Sequence, residues 1–333
     1  MIYLKEQCAR HPSMEARDVL KLCFQAAFGA EHILSDVNKA KDYFFREFEY
    51  VSPTDEPVFE RISDEVCRVN LGAWKKEGIP AKWLFNMFLL SGKISADNSK
   101  AFAEYIAESE KEFDGFSAFF DEYIRGGIRP VHHSDCYRAN EQPHYRVVKS
   151  EIVRIIPILR KISSANAKVV LIDGRAASGK STVSSLLEKV IDCEIIHMDH
   201  FFLPVSLRSK ERLSEIGGNV HYERFAEEVL PNLRSEKEFS YRIFDCSKMD
   251  YGEDRTIKNK SCVVVEGSYS AHPFFGNYAD LKVFSDVEET EQIRRITLRN
   301  GEKMAKRFES EWIPMEEKYF AHFNIKETAD VII

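Results

Sequence analysis

The segment Gly174-Arg175-Ala176-Ala177-Ser178-Gly179-Lys180-Ser181 holds the residue types that grip a polyphosphate, at the spacing G-x-x-x-x-G-K-[ST]. Its two glycines permit backbone conformations that turn successive N–H groups toward one anion. Lys180 brings a positive charge for β and γ phosphates, and Ser181 brings a hydroxyl ligand for Mg²⁺. Thr182 follows in the first turn of an expected helix, whose N-terminal end favours the same anion. The loop follows Lys168–Asp173 (KVVLID) and opens Ser181–Val190 (STVSSLLEKV), the strand–loop–helix context that gives the motif its meaning. ATP and Mg²⁺ are the expected cofactors.

Phosphoryl transfer also needs a group to orient and deprotonate the acceptor, and a carboxylate near the metal. In an open α/β sheet such groups stand at the C-terminal ends of strands. Asp199 ends the run CEIIHMD and Glu266 ends SCVVVE. Asp199 is expected to be the catalytic base and to touch the acceptor hydroxyl, with Lys180 beside the phosphates. Glu266 is expected to join Ser181 in the metal shell, through water. Asp173, directly before the loop, is expected to orient its backbone, and Asp286 is read as structural. The plainer alternative for each acid is a cap on the turn that follows its strand.

Two kinds of element must carry these residues. From Ser13 to Leu34 apolar residues recur at helical spacing (Val19, Leu20, Leu22, Cys23, Ala26, Ala27). Similar patterns cover Asn38–Phe48, Ala81–Leu90, Ser99–Phe113, Phe116–Ile124 and Val148–Ile162, so the first half is expected to be mostly α-helical. Gly29 falls inside the first of these helices, where it would allow close packing. After the small-residue break Ser163–Ala167 the pattern changes. KVVLID, CEIIHM, SCVVV, LKVFS and ADVII are short β-branched runs separated by helical segments, as in buried parallel strands with crossover helices.

These residues together resemble the phosphoribulokinase/uridine kinase family of P-loop kinases, over residues 167–333. After the loop, Met198-Asp199-His200-Phe201-Phe202 is similar to the family's D-x-F-[YF] segment, whose aspartate is the base. Gly218–Phe225 (GNVHYERF) resembles its N-x-D-x-P-x-x-F acceptor segment, and Tyr241–Cys246 its Y-D segment. Val265–Tyr269 resembles the E-G segment, Arg295–Asn300 the R-x-x-x-R-D lid helix, and Ala329–Ile333 the closing strand. The resemblance implies that Arg295 and Arg299, four residues apart on one helix face, fold over the nucleotide, Arg299 acting catalytically. It implies substrate contacts from Asp199, Phe202, His221 and Tyr241. The alternative for the arginines is a solvated basic face, and for the aromatic residues a place in the core. Three departures bear on the acceptor. His221 replaces the aspartate that holds ribose hydroxyls, no histidine follows the Y-D segment, and Ile313 rather than lysine precedes Pro314. The expected fold is a three-layer α/β P-loop kinase domain with a parallel sheet, residues 167–333, after a mostly α-helical accessory domain, residues 1–162.

Composition narrows the partners. The net charge of −7 over 333 residues argues against nucleic acid and anionic membranes. The seven cysteines include no CxxC pair, which fits reduced thiols, and Met1–Glu15 has no apolar core, so a cytoplasmic protein is expected. His132, His133, Cys136 and His144 cluster in one stretch, but their spacing matches no zinc pattern and they read as loop residues. The expected activity is transfer of the ATP γ-phosphate to a hydroxyl of a nucleoside-like or sugar-like small molecule. A kinase for another alcohol and an ATP-dependent switch are the alternatives. The helical half would then serve as a lid, a regulatory domain or a dimerisation domain, the last making a homo-oligomer.

Overall fold

The computed structural model of the chain describes residues 2–92, 98–258 and 260–333. The chain divides into two compact units, Met1–Ile156 and Pro157–Ile333. The division falls inside the helix Ile156–Ala165, ahead of the Ser163–Ala167 break.

The first unit is mostly helical, with a small antiparallel sheet built from β1 (Phe59–Arg61), β2 (Val66–Asn70) and β3 (Tyr145–Lys149), in that order. The helix Ala16–Phe28 starts with a capping box between Glu15 and Asp18, and it buries Val19, Leu22, Cys23 and Ala26. It stops at Gly29, whose φ of 57° is open to glycine at no steric cost. The single helix expected from Ser13 to Leu34 is thus corrected to a helix and a separate 3-10 turn, Glu31–Ile33. Gly29 caps the helix rather than sitting inside it. Helices Val37–Tyr50, Ala81–Leu90, Ser99–Glu112 and Phe116–Ile124 lie where the apolar spacing puts them. The helix expected from Val148 is also corrected: Val148 and Lys149 pair in β3 with Cys67 and Val66. Arg68 and Arg146 interrupt the apolar pattern of β2 and β3, which hides both strands from a periodicity test.

The second unit contains β4 (Val169–Gly174), β5 (Glu194–His197), β6 (Phe239–Asp245), β7 (Asp250–Ile257), β8 (Val263–Glu266), β9 (Leu281–Ser285) and β10 (Val331–Ile332). Five of these form one sheet, β10-β9-β4-β8-β5, in which every pairing is parallel. All residues of β4 and β8 are buried, so both faces of the sheet are covered. The helix Lys180–Ile191 packs against β4, β5 and β8. On one face Val169, Ile196, Val265 and Phe284 pack with Phe201, Phe225, Tyr319 and Phe320. This is the expected three-layer α/β architecture with a parallel sheet, and the Gly-rich loop follows its central strand. β6 and β7 stand outside it as an antiparallel hairpin, with an irregularity between Arg242 and Phe244. No helix among the described residues is long and apolar enough to cross a membrane.

Candidate active site

The Gly-rich loop leaves β4 through Gly174, at φ 138°. A Cβ there would lie 2.1 Å from the Ser285 carbonyl oxygen, so neither the conformation nor the space admits a side chain. Gly179, at φ 99°, caps the helix Lys180–Ile191. The first N–H groups of that helix have no acceptor within it and suit an anion. Asp173, 1% exposed, anchors the loop from below. One carboxylate oxygen accepts from the N–H of Gly174 (2.7 Å) and Tyr269 (3.2 Å). The other accepts from Ala271 N–H (3.0 Å) and the Tyr319 hydroxyl (2.8 Å). Burial pushes this carboxyl up, against the pull of those bonds and of Lys180.

Lys180 folds back over the loop and donates to the carbonyls of Gly174 (2.7 Å) and Arg175 (2.9 Å). The Ser181 hydroxyl lies 3.3 and 3.4 Å from the two carboxylate oxygens of Glu266. Glu266 is flanked in register by Ile172 of β4 and His197 of β5. His197 Nδ1 is 2.5 Å from Glu266 Oε1. Hard oxygen donors from loop and strand thus face each other, and this donor set fits Mg²⁺.

Asp199 lies in the 3-10 turn Met198–Phe201, which continues β5. Because β4, β8 and β5 are neighbours, the loop, Glu266 and Asp199 stand at the C-terminal ends of three adjacent strands. Asp199 is open to solvent, yet the surrounding walls crowd its carboxylate. Desolvation raises its pKa and the charge of Glu266 raises it further, while Lys180, His197 and Arg299 oppose both.

Three residues after Asp199, Phe202 is half-buried and its backbone bridges Val220. His221 donates its N–H to the Phe201 carbonyl at 2.7 Å. The His221 Nδ1 and Asn219 Oδ1 atoms are buried without a partner. Burial, with the charge of Arg224, lowers the pKa of His221 and keeps the ring neutral. Tyr241 is a core residue, 2% exposed. Its hydroxyl lies 2.9 Å from His200 Nδ1, so it reaches the cleft only through that ring. Burial, and the charges of His197 and Arg255, push His200 down to about 4.

The two arginines expected to form the lid both lie on the helix Glu289–Asn300 and have different partners. Arg295 donates to the Ala177 carbonyl of the loop at 3.2 Å. Arg299 is exposed and donates to the Asn300 side chain at 2.7 Å. Asp286 accepts from Arg175 (2.8 Å) and Lys326 (2.6 Å), tying the loop to the C-terminal segment.

Three further residues touch the loop region without any sequence expectation. Glu316, 7% exposed, accepts from the Ala176 N–H (2.9 Å) and the Ser268 hydroxyl (2.7 Å). Gln292 donates to the Ala176 carbonyl at 3.0 Å. His197 contacts Glu266 as described above. A strand-end position next to Asp199 was a usable signal for His197. Glu316 lies 140 residues from its loop partner, and nothing local marks it.

No family model matches the chain, and no curated protein sequence matches it. Solved structures with a similar chain path include a possible uridine kinase from Bacillus stearothermophilus. It has 18% identity and a TM-score of 0.43, covering 55% of this chain and 97% of that one. Another is a protein from Silicibacter sp. TM1040, provisionally described as a fructose transport system kinase. It has 17% identity and a TM-score of 0.44, covering 55% of this chain and 98% of that one.

Proposed function

We propose that the second unit is a kinase that transfers the γ-phosphoryl group of ATP to a hydroxyl of a small nucleoside-like or sugar-like metabolite. The observation that carries this reading is the convergence of Lys180, Ser181, Glu266 and Asp199 at the ends of β4, β8 and β5. When bound, Mg²⁺-ATP supplies the phosphoryl group and neutralises the charge on its oxygens. The N–H groups at the start of the helix Lys180–Ile191 hold phosphate oxygens, and Lys180 exchanges its two loop carbonyls for them. Ser181 and Glu266 would hold the metal. Asp199 accepts the proton of the acceptor hydroxyl, and its raised pKa makes it a stronger base than an ordinary carboxylate. Arg295, already on the loop, places positive charge beside the phosphates. Arg299 acts on Asp199 through its charge and reaches the transferred group only if its helix closes.

The acceptor side favours a modest hydroxyl contact over a ribose clamp. Neutral His221 lacks the paired acceptors of a carboxylate. Phe202 and His200 line the approach to Asp199, with Tyr241 behind.

A coupled ADP-release assay of the full chain over nucleosides, sugars and other alcohols tests the proposal. One class is expected to stimulate release. Asp199→Asn is expected to lower that stimulated rate by about 10²–10⁴-fold while ATP binding persists, the range for loss of a general base. Stimulated turnover that survives this change removes Asp199 as base. ATP binding with no stimulation by any alcohol favours a nucleotide-dependent switch.

A further inference from the structure

The first unit carries a half-open cavity of about 460 Å³ between the helices Ala16–Phe28 and Val37–Tyr50 and strand β3. That size falls within the range of small-molecule sites. Although the chain carries a net charge of −7, the cavity wall is cationic. Lys21, Lys39, Arg46 and Arg146 line it against Asp36 and Glu47, four positive side chains to two negative. Glu47 is already bound by Arg146 at 2.6 Å and by His144 at 2.8 Å. Asp36 caps the helix Val37–Tyr50 through the Lys39 N–H. The uncompensated charge therefore sits on Lys21 and on the rim residues Lys39 and Arg46.

A buried polar chain fixes the cavity floor. Asp18, wholly buried, accepts from His133 Nδ1 at 2.7 Å. The other nitrogen of His133 lies 2.6 Å from the Tyr145 hydroxyl. Gln25 donates to that hydroxyl at 3.1 Å and accepts from the Nε (3.1 Å) and Nη2 (2.8 Å) of Arg68. Arg68 is 1% exposed and lies over the Tyr145 ring at 4.7 Å. Burying such a chain adds no more stability than apolar packing would. What it does is hold Gln25, His133 and Tyr145 in fixed positions on the cavity wall.

Beside them the half-buried Lys21 ammonium bonds the Val131 carbonyl at 3.0 Å. Desolvation, then the charge of Arg68, pull its pKa down to about 8, and the charge of Asp18 offsets this only in part. We propose that this cavity is a second ligand site, distinct from the loop site of the other unit, and that it takes a small phosphate monoester. A dianion matches the excess of two positive charges, Lys21 and the rim cations bind it, and the second N–H of the Gln25 amide orients it. Phe88 and Ala40 provide apolar wall for the organic part. The inference goes beyond the kinase reading and stands without it.

The test uses the full chain carrying Lys180→Ala, which silences the Gly-rich loop as a phosphate binder. Inorganic phosphate and phenyl phosphate are titrated by calorimetry, with malonate as a dicarboxylate of matched charge. One saturable site is expected, tighter for phenyl phosphate, and hydrogen exchange of the peptide containing Tyr145–Lys149 is expected to slow on binding. Adding Lys21→Gln is expected to weaken binding about tenfold, the loss of one charge-assisted hydrogen bond. Should Lys21→Gln fail to fold, Lys39→Gln with Arg46→Gln on the exposed rim decides instead, with the same expected weakening. No saturable binding at millimolar ligand overturns the site, as does binding indifferent to these substitutions. Malonate binding as tightly as phosphate overturns the ligand class.

Discussion

At Asp173 one carboxylate accepts four hydrogen bonds, from Gly174, Tyr269, Ala271 and Tyr319, and so joins the loop, the turn after β8 and the C-terminal helix Ile313–Phe323. Asp173→Asn keeps the size of the side chain but turns an amide NH₂ toward one pair of donors. With buried donors left unsatisfied, a loss of about 1–3 kcal/mol is expected, read from the urea midpoint. The KM for ATP is expected to rise with it, since the same residue holds the loop. An unchanged midpoint would show that the loop is anchored elsewhere. That Asp173 serves the loop backbone was legible from its place between strand and motif. Its partners Tyr269, Ala271 and Tyr319 were not, because they arrive from residues 96, 98 and 146 positions away.

The turn from β4 into the helix Lys180–Ile191 depends on a close passage beside β9. Gly174 takes φ 138°, and Ser285 leaves no room for a Cβ. Gly174→Ala is expected to cost on the order of 1–3 kcal/mol from backbone strain alone, and more from the clash. Thermal melting measures the loss, and nucleotide titration is expected to show weakened binding beyond it. Wild-type stability and affinity would mean that the loop has a second conformation. The motif marked this turn because glycine is nearly the only residue that permits it. Gly29 carried a comparable signal as a helix end, yet the apolar spacing on both sides of it reads as one continuous helix. Strands β2 and β3 escaped because a buried arginine interrupts each, and the cross-strand pairing that shelters Arg68 and Arg146 lies outside any local window.

Across the whole chain, the two units respond to acid through different groups, and the first offers a clear sign. Burial, partly offset by the bond to Asp18, pulls His133 from the usual imidazole range down to about 4. Between pH 6.5 and about 4 the unfolded chain protonates this histidine and the folded one does not, so stability falls as pH falls. The full effect is up to about 3 kcal/mol for a shift from 6.5 to about 4. His11 works the other way. Burial lowers its pKa, but bonds to Glu60 and Glu141 raise it overall, and it lends stability on acidification. Comparing the full chain with its His133→Gln form isolates the first term. Protection of the β3 peptide, its hydrogen exchange taken relative to the intrinsic rate at each pH, is expected to fall between pH 7 and 5 in the parent and to change less in the variant. Parallel profiles would mean that His133 is protonated in the folded state. Taken alone, the sequence determined the phosphate loop, the acids at the strand ends, most helices and the parallel character of the second unit. Each of these is written in residue types and spacings within one element. Only the tertiary structure decided that Ser181 meets Glu266, that Glu316 reaches Ala176, and that Asp18, His133, Tyr145, Gln25 and Arg68 form one chain. Those contacts follow from strand order, register and helix packing, which bring distant positions together and leave no trace in any local period.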